Sequence, residues 1–138
     1  MTVPRQVRVV AALISHPSQA GRYLIQQRLP GKSRALLWEF PGGKVEAGEG
    51  DAAALVRECR EELGVELSVE GYLSTATHAY EDLTVELVLY RGRILKGDPK
   101  ALGAQALRYA DAAEMKGLPF CEADLPLLDA LGNGAWDR

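Results

Sequence analysis

The stretch that decides the fold runs from Gly43 to Val65 and reads GKVEAGEGDAAALVRECREELGV. It follows a Pro41-Gly42-Gly43 breaker and contains the best predicted helix of the chain. Asp51 is the expected N-cap, residues 52–63 are mostly good helix formers, and Gly64 follows as the C-terminal stop. Apolar residues recur at the spacing of one buried helical face, at Ala52, Leu55, Val56, Cys59 and Leu63. The stretch therefore predicts a loop, an amphipathic helix and a second loop.

Three glutamates lie close together on this predicted helix, at Glu58, Glu61 and Glu62. At ~100° per residue they fall within an arc of about 100° beside the apolar face. Like charges at this spacing repel one another, and carboxylate oxygen is the ligand that a hard divalent cation prefers. The glycines just upstream allow backbone atoms to approach such a cation or a phosphate. The pattern suits a metal site, and it also suits a solvated helix face.

The wider spacing separates these two interpretations. The fixed positions of the Nudix signature are Gly, five residues, Glu, seven residues and Arg-Glu-U-x-Glu-Glu-x-Gly-U, where U is apolar. All are filled here, by Gly43, Glu49, Arg57, Glu58, Cys59, Glu61, Glu62, Gly64 and Val65. Outside this box, residues 24–28 (LIQQR), 37–44 (LWEFPGGK) and 118–128 (LPFCEADLPLL) resemble MutT-like and CTP pyrophosphohydrolase-like members. The chain thus resembles the Nudix hydrolase family, in that branch.

The resemblance implies an α/β (α+β) Nudix fold, in which a mixed β-sheet is sandwiched between α-helices and the box forms a loop–helix–loop. Glu58, Glu61 and Glu62 would bind Mg²⁺, or Mn²⁺ in its place, with the carbonyl of Gly42 as a further ligand. Glu58 or Glu61 would accept the proton of the attacking water. Arg57 and Glu49 would orient the cluster.

The resemblance also implies a binding site for the substrate. Arg28 and Lys44 would contact phosphate oxygens, Phe40 would line a base pocket, and Asp124 would read the edge of the base. Phe40 could equally belong to the core, and Asp124 could equally be a surface acid near the start of a helix. One departure concerns Gly103, where several MutT-like relatives have a further metal-binding Glu. A fourth carboxylate is therefore missing, or it comes from Asp98, Glu81 or Asp82.

The activity that the resemblance implies is hydrolysis of a (deoxy)nucleoside triphosphate to a monophosphate and pyrophosphate by in-line attack of water. An oxidised purine nucleotide such as 8-oxo-dGTP and a pyrimidine nucleotide such as CTP or a modified dCTP both fit. A Nudix hydrolase of ADP-ribose or of dinucleoside polyphosphates is an alternative. A Nudix module that senses a nucleotide without cutting it is a second alternative.

Length and composition agree with a globular enzyme. The 138 residues predict one domain spanning 1–138. Residues 1–44 carry seven Lys or Arg against one acid, and residues 45–70 carry eight acids against two bases, as a site for metal and phosphate would. With two cysteines, no secretory signal and no apolar run of membrane-spanning length, we expect a cytoplasmic protein. We expect a small nucleotide as its partner, no nucleic acid or membrane, and a monomer or homodimer.

The rest of the chain predicts mostly strands. They are expected at 7–14, 22–27, 65–76, 83–95 and 106–110. A helical turn at 111–116 and a closing helix at 122–131 follow, and residues 132–138 form a frayed tail. Strands before and after a central helix indicate an α+β or α/β fold.

Overall fold

The computed structural model describes residues 5–137 and contains the predicted elements in the predicted order. The strands are β1 (Arg5–Ile14), β2 (Tyr23–Gln27), β3 (Trp38–Glu39), β4 (Gly42–Lys44), β5 (Glu66–Ala79), β6 (Leu83–Lys96) and β7 (Ala106–Ala110). The helices are α1 (Asp51–Leu63), α2 (Ala112–Lys116) and α3 (Leu125–Gly132), and a 3-10 turn spans Glu122–Asp124.

The strands form two sheets. The larger sheet is mixed and has the strand order β4-β1-β6-β5. Strand β1 runs parallel to β6, whereas the β1–β4 and β5–β6 pairs are antiparallel. The smaller is antiparallel, with the order β3-β2-β7. The parallel β1–β6 pair lies at the centre of the larger sheet, where both of its faces are covered.

Side chains along β1 point alternately to the two faces of the larger sheet, and this shows which helices cover each face. Val10, Ala12 and Ile14 belong to one buried cluster together with the apolar face of α1. Ala11 and Leu13 point the other way, into a second cluster that includes residues of α2 and α3. The sheet therefore lies between α1 on one side and α2 and α3 on the other. This confirms the predicted fold, a mixed sheet between helices.

The start of α1 differs from the prediction. Gly50, not Asp51, is the N-cap, and no side chain caps this end. The Asp51 carboxylate instead accepts hydrogen bonds from Arg8 Nε at 2.8 Å and from the Tyr90 hydroxyl at 2.6 Å. These partners on β1 and β6 draw the side chain away from its own helix. On the buried face, Ala54 takes the place predicted for Ala52, which is exposed.

The end of α1 agrees with the prediction. Gly64 adopts the left-handed conformation, with φ of 71°, and its N–H bonds to the Arg60 carbonyl at 3.1 Å. A glycine is favoured here because it has no Cβ to strain in that conformation.

Two further segments differ from expectation. The predicted closing helix is divided into a 3-10 turn and α3, with Pro126 in the first turn of α3. The predicted frayed tail is attached as far as residue 137, because Trp136 packs against the core and its carbonyl accepts a hydrogen bond from Arg91 at 2.6 Å. Arg138 lies outside the described residues. None of the helices between residues 5 and 137 is long and apolar enough to cross a membrane.

Candidate active site

Helix α1 places two of its three glutamates in one groove. Leu55, Cys59 and Leu63 anchor the helix in the core. Glu58 and Glu62, on the adjoining face, line a groove with Gly42, Gly43, Lys44, Arg28, Glu39 and Gly103. Glu61 is not among the residues that line this groove, and 59% of its side chain is exposed.

Each of the two groove glutamates packs against a glycine. A Cβ built on Gly43 would overlap the carboxylate of Glu58, and a Cβ built on Gly103 would overlap that of Glu62. Gly42 is needed for another reason, since a Cβ there would overlap the Val10 carbonyl of the paired strand β1. The Pro-Gly-Gly segment is thus a short strand as well as a turn. Its glycines allow β1 and Glu58 to approach from opposite directions.

Arg57 holds the loop and the first glutamate together. Its Nε and Nη2 donate to the two carboxylate oxygens of Glu49 at 2.8 and 2.9 Å. Its Nη1 donates to Glu58 at 2.9 Å and to Glu61 at 3.3 Å, and Nη2 also donates to the Lys44 carbonyl at 3.0 Å. The hydrogen bonds from Arg57 lower the pKa of Glu49 to about 2. The structure therefore brings Arg57 and Glu49 together, and their orienting role stays a prediction.

The pKa values of both groove carboxyls are raised. Burial raises the pKa of Glu58, and Arg57 opposes this shift. Burial, followed by the charges of Glu58 and Glu39, raises the pKa of Glu62. A divalent cation would relieve this repulsion, and oxygen donors are its proper ligands.

The donor set fits a hard cation in its chemistry, through the carboxylates of Glu58 and Glu62 and the carbonyl of Gly42. Within residues 5–137, however, no three His, Cys, Asp or Glu side chains are grouped closely enough to hold a metal. Arg57 engages Glu58 and Glu61, while Glu62 packs on Gly103. The predicted three-glutamate cluster is therefore not a preformed cage.

A carboxylate that the sequence analysis did not single out, Glu39, also lies in the groove. It accepts hydrogen bonds from Gln26 Nε2 at 3.0 Å and Arg28 Nη1 at 3.2 Å. None of the three candidates for a fourth carboxylate lines the groove. Asp82 instead pairs with Arg34 at 3.1 Å, and Asp98 lines a different surface groove. A lone acid in the apolar run Leu36-Leu-Trp-Glu-Phe is the signal that could have identified Glu39.

A cavity adjoins the groove and contains the predicted base-binding residues. Asp124 is buried, with 5% of its surface exposed, and its Oδ2 accepts a hydrogen bond from the Phe40 N–H at 3.0 Å. The alternative of a surface aspartate is therefore wrong. Burial, and to a lesser degree the charge of Glu39, raises the pKa of Asp124 well above its usual range. Phe40 belongs to the core, edge-to-face with Phe120 at 5.9 Å, and also lines the cavity.

The groove and the cavity meet at the two predicted phosphate contacts. Arg28 and Lys44 line both, as do Glu39, Gly42 and Gly43. Arg28 is fixed by its bond from Nε to the Ser33 carbonyl at 2.8 Å, whereas Lys44 is exposed at the end of β4. Two cations thus lie between the groove with its carboxylates and the cavity that contains Asp124. A nucleotide has its phosphates in the same position relative to metal and base.

Comparison with known proteins agrees with this geometry. A profile described as the NUDIX domain matches residues 10–130. The CTP pyrophosphohydrolase of Escherichia coli is 37% identical over 126 residues, which cover 91% of each chain. A putative 8-oxo-dGTP diphosphatase 2 of Mycobacterium tuberculosis is 39% identical over 105 residues, covering 73% of this chain and 72% of that one. The solution structure of the E. coli ORF135 protein superposes with a TM-score of 0.79 at 35% identity, covering 98% and 94% of the two chains.

The chain belongs to the Nudix family and is a Nudix hydrolase, as its sequence predicted. Nudix hydrolases generally use divalent metal ions. The identity of the ion, the substrate and the roles of the individual site residues are matters for proposal.

Proposed function

We propose that this Nudix hydrolase is a Mg²⁺-dependent pyrophosphohydrolase of nucleoside triphosphates, of the CTP or modified dCTP type or the 8-oxo-dGTP type. The observation that carries the proposal is the junction between groove and cavity at Arg28 and Lys44. A base in the cavity beside Asp124 has its phosphate chain at these two cations and at the groove carboxylates. The names of the two relatives at 37% and 39% identity support the same substrate classes.

The chain's own residues suit the hydrolysis of an anhydride. When bound, Mg²⁺ at Glu58, Glu62 and the Gly42 carbonyl supplies charge neutralisation and Lewis acidity. Water attacks a phosphorus in line, its proton passes to a carboxylate, and the bond between the α- and β-phosphates breaks. The products are a nucleoside monophosphate and pyrophosphate. Arg28 and Lys44 stabilise the charge that develops on the phosphate oxygens.

Of the two glutamates predicted as the proton acceptor, Glu58 has the stronger structural support. It lines the groove and is held there by Arg57 at 2.9 Å, whereas Glu61 is largely exposed outside it. A general base must lie within hydrogen-bond reach of the water it deprotonates. In this proposal Glu61 would be the third glutamate to bind the metal, as the family resemblance implies.

The test measures pyrophosphate released from CTP, 5-methyl-dCTP, 8-oxo-dGTP and the common NTPs and dNTPs, and monophosphate released from ADP-ribose and diadenosine polyphosphates. Glu62→Gln should lower kcat on the preferred triphosphate on the order of a hundredfold. Glu66→Gln is the matched control, because Glu66 lies on β5 and pairs with the exposed Arg60 at 2.7 Å. It should leave kcat unchanged.

The panel also separates the alternatives. Activity only on ADP-ribose or dinucleotides would retain the hydrolase and refute the proposed substrate class. Tight nucleotide binding without cleavage of any member would favour a sensor.

A further inference from the structure

An arginine outside the predicted site lines the same cavity as Asp124. Arg34 follows β2 in the loop to β3 and has a φ of 54°, in the left-handed region that non-glycine residues rarely adopt. Such strained positions tend to occur at ligand-binding sites and persist only where the surroundings fix them. Here the Leu37 N–H bonds to the Arg34 carbonyl at 3.3 Å, and the Leu36 N–H bonds to the Arg28 carbonyl at 3.0 Å.

The guanidinium of Arg34 is held against one wall of the cavity. It lies 3.6 Å from the centre of the Tyr80 ring, within the range of a cation–π interaction. Its Nη2 donates to Asp82 at 3.1 Å. Tyr80 accepts a hydrogen bond from the Ala123 N–H at 3.0 Å, and this ties the stacked pair to the segment that carries Asp124.

One nitrogen of this guanidinium is buried and unused. Arg34 Nε has no hydrogen-bond partner among the described residues, and the side chain is only 19% exposed. A buried donor without a partner is unfavourable, and arginine remains charged, so it can only donate. Because the guanidinium has donors and no acceptor, a ligand in the cavity has to present an acceptor atom to it.

We propose that Arg34 determines base specificity, by donating a hydrogen bond from its guanidinium to a carbonyl oxygen of the nucleobase. This inference rests on the proposed nucleotide site. Cytosine and 8-oxoguanine carry carbonyl oxygens, whereas adenine presents an amino group where guanine presents a carbonyl. Arg34 and Asp124 line the same cavity and together contact the polar edge of the base. Adenine nucleotides are disfavoured because they leave the arginine without an acceptor.

The test compares CTP, 8-oxo-dGTP and ATP in the wild type and in Arg34→Met, which keeps length but removes every donor. With the better carbonyl-bearing substrate, kcat/KM should fall about ten- to a hundredfold, the range for a hydrogen bond to a charged group. With ATP it should change less than about threefold. Arg93→Met is the matched control, since Arg93 is 64% exposed, pairs with Glu70 and does not line the cavity; it should change neither value.

Arg34→Lys keeps the charge but lacks the guanidinium, so it should also lose the preference over ATP. It covers the case in which the methionine variant does not fold, as judged by thermal unfolding. The inference would be overturned if the ratio of kcat/KM for CTP or 8-oxo-dGTP to kcat/KM for ATP stayed at its wild-type value, whether or not the three values fell together.

Calorimetric binding of the same nucleotides tests Arg34 without relying on hydrolysis. If the wild type cleaves none of the nucleotides, the proposed function fails. The inference about Arg34 then stands or falls on whether its substitution removes the binding preference over ATP.

Discussion

Replacing Gly103 with alanine tests whether Glu62 must lie where the structure places it. A Cβ at this position would lie 3.0 Å from one carboxylate oxygen of Glu62 and overlap the other. Real Cβ contacts essentially never fall below 3.0 Å, so the carboxylate has to move. The backbone is under no strain that alanine would worsen, because Gly103 is not among the glycines with positive φ.

The expected loss follows from the size of that movement. Removing the overlap requires the carboxylate to shift by about 1 Å or more, and a misplacement of this size can lower catalysis about a hundredfold. That corresponds to about 2.7 kcal/mol of transition-state stabilisation. Folding stability should change by less than about 1 kcal/mol, because alanine restricts the unfolded chain while the displaced side chain faces an open groove.

The assay is pyrophosphate release over a Mg²⁺ titration, with thermal unfolding measured in parallel. We expect Gly103→Ala to lower kcat and to raise the Mg²⁺ concentration at half-maximal activity. Gly71→Ala is the matched control, because a Cβ on Gly71 meets nothing within 4 Å and its φ is not positive. It should retain full activity.

A double variant shows whether the effect passes through Glu62. If Gly103→Ala acts by displacing this carboxylate, adding it to Glu62→Gln should cost little further activity. Additive losses would refute the reasoning, and so would full activity of Gly103→Ala with unchanged Mg²⁺ dependence.

Three other substitutions test separate parts of the structure. Because burial raises the pKa of Asp124, its ionisation opposes folding as pH rises above about 4. Asp124→Asn should therefore gain thermal stability relative to wild type between pH 5 and 8 while losing base preference. A melting temperature that falls further below that of the wild type as pH rises would contradict this. The hydrogen bond from Arg8 lowers the pKa of Asp51 below 3.8, so that residue stabilises the fold above this pH and less as pH falls. Asp51→Asn should lower the free energy of unfolding, measured with urea, by about 1 kcal/mol at pH 7 and by less at pH 3. An equal loss at both pH values would contradict this role of Asp51. Arg57→Lys loses the planar fork and should lower kcat about ten- to a hundredfold without unfolding, whereas unchanged kcat would remove its orienting role.

Local patterns predicted the helix and most strands well. Helix α1 was predictable because propensity, apolar spacing and Gly64 all agree within one continuous stretch. Strand β4 was not, since a segment with two glycines has no strand propensity and forms by pairing with β1. Asp51 was misassigned for the same kind of reason. Capping rules see only neighbours in sequence, while its partners Arg8 and Tyr90 are 43 and 39 residues away.

The candidate site likewise contains residues that local sequence patterns predict and residues whose positions depend on contacts distant in sequence. The box residues could be predicted because their spacing along one helix is itself the signal. The burial of Asp124 could not, because it depends on the Phe40 N–H, 84 residues away in sequence. Arg34 has no pattern around it at all. Its position at the cavity depends on its own left-handed backbone and on its contact with Tyr80, which directly follows β5.

Glu39 and Gly103 both affect the carboxylates of the groove. A side chain at position 103 and the observed position of Glu62 exclude each other, so glycine there is a requirement of this arrangement of the groove. Glu39, on β3, adds a carboxylate to the groove, and its charge raises the pKa of both Glu62 and Asp124. Arg28, which donates to Glu39, lines the groove and the cavity. The groove and the cavity therefore share one ion pair, and a change of charge at Glu39 alters the pKa of a carboxyl in each, Glu62 and Asp124.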